Sequence, residues 1–264
     1  MSGPEVFRVS AGAYDKLMGR YGPQLGRSLI DFAGVQPGMR VLDVGCGPGA
    51  LTGELANYLG ARNVSAVDPS ESFVDACRKR HPAVEVAAAS AEALPFDGNT
   101  FDATLSQLVV NFMTDAETGV REMCRVTRPG GVVSSCVWDD AGEMTLLRAF
   151  WRAARDIDPE RAAAVDESAG MRLCEEGALA RLWRAAGLRD IRAGALTVRA
   201  TYNDFDDLWS PFPEGVGPSG AFCRSLGENK RAELYDALRG EIDVGDGQFE
   251  LTARAWVVSG SLHG

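Results

Sequence analysis

The sequence predicts an α/β fold: a doubly wound, mostly parallel, seven-stranded sheet with helices on both faces. Three observations predict it. Short apolar runs with little polar alternation recur between residues 40 and 138, as expected of strands buried on both faces. Helical patterns separate them, the rhythm of a parallel sheet. The first run, "RVLDV", enters the glycine-rich loop "GCGPG", and a helical pattern follows. In such sheets ligands gather at the carboxyl ends of the strands, where strand order reverses.

The elements follow in order. "YGPQLGRSLIDFAG" (residues 21–34) reads as a helix, with Pro23 in its first turn, Leu25, Leu29, Ile30 and Phe32 apolar, and Gly34 as its stop. After the turn "QPGM", "RVLDV" is the first strand and "ALTGELANYLG" a helix. "NVSAVD" is the second strand, and "SESFVDACRKR" a helix with Ser70 as N-cap. "AVEVAAA" and "FDATLSQLVV" are the third and fourth strands. "DAETGVREMCRVT" is a helix, "RPGG" a turn and "VVSSCVW" (residues 132–138) the fifth strand. Beyond Trp138 the pattern changes. "MTLLRAFWRAARDI", "EEGALARLWRAAGL" and "ENKRAELYDALRGEI" are helical, while "DIRAGALTVRATY" and "FELTARAWVVSGSL" are long strands that complete the sheet. The expected organisation is one domain over residues 1–264. It comprises an N-terminal helical lid segment (11–36), a ligand-binding core (37–138), and a sheet-completing part (139–264) with a helical insertion at 203–245.

Composition narrows the function classes. The net charge is −10, so the average surface repels nucleic acid and none is expected as partner. The basic run "RKRH" (78–81) closes a helical pattern, where cations suit the helix dipole. Six cysteines include no C-x-x-C pair, so no metal is expected, and they read as thiols of a reducing compartment. "MSGPEVFRVS" has no apolar core segment and no run reaches membrane-spanning length, so a cytoplasmic protein without membrane partner is expected. Monomer and homodimer stay equally open.

The loop alone does not choose its ligand. Gly45, Gly47 and Gly49 give G-x-G-x-G, but Ala50 also completes the dinucleotide pattern G-x-G-x-x-A. Two features disfavour a pyrophosphate. Pro48 removes a backbone N–H from the loop, and Asp43, two residues before the first glycine, repels an anion. A carboxylate there suits a cationic ligand.

Four segments then resemble the class I S-adenosylmethionine-dependent methyltransferases, in the right order over about residues 37–138. "VLDVGCGPG" is similar to their first motif and "VSAVDPSESFVDACRKR" to their second. "SAEALPFDGNTFDATLS" and "REMCRVTRPGGVV" resemble later segments of the branch that includes ubiquinone-biosynthesis and small-molecule enzymes. The flanks "YDKLMGRY" and "DFDDLWSPF" resemble a bacterial subgroup, a likeness that points to no substrate.

The resemblance implies a Rossmann-like methyltransferase fold, S-adenosylmethionine as cofactor, and transfer of its methyl group to a small organic acceptor by in-line displacement. It implies that Gly45 and Gly47 admit the cofactor against the backbone, that Asp43 favours its ammonium, and that Asp68 accepts both ribose hydroxyls. Ser90 stands where the family has aspartate for the adenine amino group; Ala91 would offer its N–H to the ring. Gln107 would touch the cofactor or line the acceptor cavity, and Tyr14 and Arg20 would fold over the cofactor, with Arg20 on its carboxylate. Two other readings stay open: a nicotinamide-dependent oxidoreductase, and a module that binds the cofactor without chemistry. No general base stands out. His81 reads as a surface residue and His263 as part of the tail. Asp139 and Asp140, after the fifth strand, face the correct end of the sheet. Trp138, Phe205, Trp209 and Phe212 would wall an apolar acceptor pocket or form the core of the lid.

Overall fold

The computed structural model describes residues 15–140, 142–166 and 172–263. Tyr14 therefore lies outside the described residues. Strands β1 (Val41–Val44), β2 (Val64–Asp68), β3 (Glu85–Ala88), β4 (Phe101–Gln107), β5 (Thr127–Trp138), β6 (Arg189–Tyr202) and β7 (Phe249–Ser261) form one sheet in the order β3-β2-β1-β4-β5-β7-β6. β1 to β5 pair in parallel, and β7 runs antiparallel between β5 and β6. Strand order reverses between β1 and β4, so the crevice beyond their carboxyl ends is the natural ligand site.

Strand β1 shows how a short sequence serves two faces. Its four residues are all buried. Val41 joins the core under α1 (Gly22–Ala33), α2 (Ala50–Leu59) and α3 (Glu71–Arg80), whereas Leu42 and Val44 join the core under α4 (Ala116–Val126) and α7 (Ala178–Ala185). The two-residue period of a strand produces this division. Trp183 anchors α7: it is wholly buried and its indole Nε1 donates to the Val133 carbonyl at 2.9 Å. Helices α5 (Thr145–Ile157), α6 (Pro159–Val165), α8 (Phe205–Trp209), α9 (Gly217–Ser225) and α10 (Glu228–Ile242) form a further layer beside the end of the sheet built by β6 and β7. It is packed through aromatic rings, with Phe150 stacked on Phe212 at 4.6 Å and Phe205 edge-on to Tyr235 at 4.8 Å.

Four local expectations are corrected. The fourth strand does not run through "LVV". It ends at Gln107, Leu108 turns into a left-handed conformation (φ 64°), and Val110–Phe112 make one 3₁₀ turn. The "RPGG" segment is not a turn ahead of the strand but an excursion within β5, because Phe101 pairs with Thr127 and Ala103 next pairs with Val132. Ser70 stands at the N-cap of α3, but its hydroxyl meets Ser72 instead of the helix N–H groups. Helix α6 was absent from the sequence reading, although Asp158 caps it and Pro159 opens it.

Truncating Trp183 to alanine removes both a large buried surface and the hydrogen bond that seats α7. It should cost about 4 kcal/mol, read as a lowered urea midpoint.

Candidate functional site

A cavity of about 170 Å³ opens at the crevice between β1 and β4. Its floor is the loop after β1, whose conformation needs glycine: Gly45, Gly47 and Gly49 all have positive φ (75°, 52° and 99°). A side chain at Gly45 would run into Val109. At Gly47 a Cβ would meet no protein atom within 4 Å, so the room beside that residue is left open by the fold. The loop's own N–H groups are spent internally. Gly45 and Cys46 donate to the Val67 carbonyl at 2.8 and 2.9 Å, Gly47 to Asp68 Oδ2 at 2.9 Å, and Gly49 to the Cys46 carbonyl at 2.9 Å. Pro48 has none to give. The loop itself would offer a pyrophosphate no cradle of donors.

Three carboxylates line the cavity and, among the described residues, no lysine or arginine does. Asp43 is wholly buried. Its Oδ2 accepts from the Thr52 hydroxyl at 2.6 Å, and its Oδ1 has no partner among the described residues. Burial raises its pKa to about 7, partly opposed by Thr52 and reinforced by the charge of Asp68. Asp68 is also buried. Burial pushes its carboxyl up, while the N–H groups of Ser70 (2.8 Å) and Gly47 work against that shift. Glu92 takes the hydroxyl of Ser90 and the N–H groups of Thr114 and Asp115. Burial pushes its carboxyl up, but these bonds outweigh burial and leave it below the usual range.

The structure sorts the anticipated residues. Asp43, Gly45, Gly47, Asp68, Ser90, Ala91 and Gln107 line this cavity. Gln107 also donates to the Gly22 carbonyl at 3.2 Å and so ties α1 to the end of β4. Arg20 does not line the cavity: it pairs with Asp207, donates to the Lys16 carbonyl and lies over the Tyr202 ring. His81 is half-buried instead of free on the surface, with Nε2 3.0 Å from the Gly49 carbonyl and its ring against Gly49 and Gly53. His263 is exposed near the tail.

A second cavity, of about 80 Å³, lies alongside and shares Leu108 and Phe112 with the first. Trp138 and Asp140 line it. Phe205, Trp209 and Phe212 do not: their rings pack on Tyr235 and Phe150 within the helical layer, where a large apolar ring buries more surface than on a wetted wall. Asp139 and Asp140 part ways. Asp139 is held by Arg254 from β7 at 2.6 Å and by the Glu143 N–H at 2.9 Å, so its charge is already answered.

Sequence reasoning missed Glu92, Leu108, Asn111, Phe112 and Met113 as cavity walls. Glu92 carried a signal, since it sits within the "SAEALPF" segment. The turn after Gln107 carried none, because an apolar "LVV" reads equally well as strand. No cluster of three or more metal-ligating side chains occurs among the described residues, nor any helix long and apolar enough to cross a membrane.

Comparison with known proteins places this geometry. Residues 42–135 match the family model described as a methyltransferase domain. The chain is 30% identical over 150 residues to a malonyl-[acyl-carrier protein] O-methyltransferase of Pectobacterium atrosepticum, covering 56% of this chain and 57% of that one. It is 38% identical over 114 residues to a ubiquinone/menaquinone biosynthesis C-methyltransferase of Idiomarina loihiensis, covering 40% and 45%. The chain thus spans about half the length of the curated relatives it matches. Among solved structures, a proposed type II methyltransferase of Anaeromyxobacter dehalogenans superposes with a TM-score of 0.65 at 24% identity, covering 93% of this chain and 98% of that one. The phosphoethanolamine N-methyltransferase 2 of Haemonchus contortus, solved with S-adenosylhomocysteine, gives 0.59 at 18% identity, covering 96% and 57%. These two likenesses establish the fold: the mostly parallel, Rossmann-like sheet of methyltransferases.

The raised pKa of Asp43 makes the ligand-free fold less stable as pH rises. The folded state keeps a proton that the unfolded state releases near pH 4, so the cost grows until about pH 7 and is complete above it. Asp43→Asn keeps an acceptor for Thr52 and removes that cost. Between pH 5 and 8 the variant should gain about 2 kcal/mol on the parent, measured from urea midpoints of both proteins at the two pH values.

Proposed function

We propose that this chain, which carries a methyltransferase domain over residues 42–135, transfers the methyl group of S-adenosylmethionine to a small organic acceptor. One observation carries the reading beyond the match to that family model: the cavity at the switch point pairs three carboxylates with no cation among the described residues, above a loop whose N–H groups are already taken. That environment disfavours the anionic pyrophosphate of a nicotinamide cofactor. It favours a ligand that brings positive charge and ribose hydroxyls.

The residues present fit such a ligand. Asp68 holds two N–H donors and keeps further lone pairs, so its fixed carboxylate can accept the adjacent ribose hydroxyls. The orphaned Oδ1 of Asp43 supplies a buried negative partner for an ammonium near the loop. The bare Cα of Gly47 admits the ligand against the main chain. Ser90, with its hydroxyl committed to Glu92, presents its oxygen as a neutral acceptor where the family has a carboxylate. When bound, S-adenosylmethionine supplies a methyl group already activated by the positive sulfur. The protein's part is to align the acceptor and exclude water. Leu108 and Phe112, shared by both cavities, stand where donor and acceptor would meet.

Residues 37–138 are then the cofactor core, and residues 15–36 with 203–245 the cover. Arg20 and Asp207 join the two parts of that cover across the fold. No disulfide joins any of the six cysteines, in keeping with a reducing cytoplasm.

Calorimetry with S-adenosylhomocysteine tests the reading. Saturable binding is expected for the parent. Asp68→Ala should weaken it roughly 10- to 100-fold, and Gly47→Arg should abolish it by filling the cavity. Saturable binding of reduced nicotinamide dinucleotide with no signal for S-adenosylhomocysteine would overturn the assignment.

A further inference from the structure

The second cavity is apolar except at one end. Leu17, Val137, Trp138, Leu147 and Val216 contribute apolar wall, and the polar contributors are Asn111, Asp140 and Ser219. Of all its described lining residues only Asp140 ionises. Its Oδ2 receives the Cys174 thiol at 3.1 Å, and that sulfur in turn receives Asn111 Nδ2 at 2.9 Å. Its Oδ1 is shielded from water and has no hydrogen-bond partner among the described residues. Asp140 lines the apolar cavity, and a buried acceptor oxygen without a donor is costly unless a ligand supplies one.

We propose that this cavity seats an apolar acceptor carrying a neutral hydroxyl, and that Asp140 is the general base that takes the hydroxyl proton as the methyl group arrives. The proposal rests on the methyl-transfer reading above. In the balanced step, the acceptor oxygen forms a bond to the methyl carbon and the carbon–sulfur bond breaks with its electron pair kept by sulfur. The hydroxyl proton passes to Asp140 Oδ1. An acceptor bearing a carboxylate would meet Asp140 as a like charge in an apolar enclosure, so this cavity selects against acids. An ammonium acceptor would have no lone pair to offer and would face the cationic donor through the shared wall.

The surroundings suit a base working near neutrality. Burial raises the Asp140 carboxyl to about 6, opposed by the Cys174 thiol and reinforced by the charges of Asp139 and Asp166. Both neighbouring acids are themselves paired, Asp139 with Arg254 from β7 and Asp166 with Arg155 from α5. The α9 residues on the wall, Gly217, Pro218 and Ser219, carry no charge, nor do Leu17 and Met18 from the turn before α1. Cys174 is thus a positioning residue: it fixes one oxygen of Asp140, while the other has no donor among the described residues.

Phenol and benzoate distinguish the proposal, each titrated calorimetrically into the parent and Asp140→Asn, both saturated with S-adenosylhomocysteine. The parent should bind phenol at least tenfold more tightly than benzoate at pH 8. Lowering the pH through about 6 should narrow that gap, because a protonated Asp140 no longer repels the acid. In Asp140→Asn the gap should be small at every pH, with S-adenosylhomocysteine affinity unchanged as the check on folding. With S-adenosylmethionine and phenol, Asp140→Asn should lose at least 100-fold in transfer rate. Cys174→Ala should move the pH midpoint of the rate upward, a shift that a purely structural role would not produce. Equal affinity for phenol and benzoate, binding of neither, or an unchanged rate profile in Asp140→Asn overturns the proposal. Failure of the parent to bind S-adenosylhomocysteine would instead overturn the methyl-transfer reading beneath it.

Discussion

Unbalanced negative charge at the carboxyl ends of β1 and β2 is the constraint around which the site is organised. Asp43 lies one residue before the end of β1 and Asp68 ends the adjacent parallel strand β2, so the register of the sheet fixes their neighbourhood. Both are buried, and each is only partly satisfied by Thr52, Gly47 and Ser70. Two buried carboxylates with no cation among the described lining residues destabilise the fold at that spot. The raised pKa and unpartnered Oδ1 of Asp43 set this spot apart from the rest of the core.

The glycine loop has a double duty in this arrangement. Its positive φ values turn the backbone so that its N–H groups face Val67, Asp68 and Cys46. A phosphate-binding loop turns the same groups outward toward its ligand. Two loops with near-identical glycine spacing can therefore serve oppositely charged ligands. The difference lies in where the N–H groups point, and here the Asp68 carboxylate is one of the acceptors that hold them.

The helical layer contributes shape more than contacts. Its aromatic residues pack mainly on one another, with Phe150 stacked on Phe212 and Trp209 edge-on to Tyr235. That leaves backbone-rich α9 and small residues such as Ser219 to face the second cavity. Across the fold, the Tyr21 and Tyr202 hydroxyls meet at 3.1 Å beside the Arg20–Asp207 pair, joining the start of α1 to the end of β6 and to α8. An arginine engaged in this way ties parts of the fold together.

The sheet core was legible in the sequence because its determinants are local. The unbroken apolar run at Val41 and Leu42, the stop at Gly34 and the glycine spacing after β1 each act over a few residues, and the glycine loop sits next to its strand. The order of β6 and β7, with β7 between β5 and β6, was not legible, because it depends on pairings between residues more than a hundred positions apart. The same limit separates Asp139 from Asp140. In sequence they are equivalent neighbours; in space Arg254 reaches one, while the other turns to Cys174 and an apolar cavity. The sequence by itself determined the alternation of strands and helices, the loop and its acidic partners, since chemistry and spacing along the chain suffice for those. Only the tertiary structure decided which carboxylate is neutralised, where the aromatic residues of the helical layer pack and what lines the cavities. Charge, burial and cavity walls are made by elements that the chain brings together from a distance.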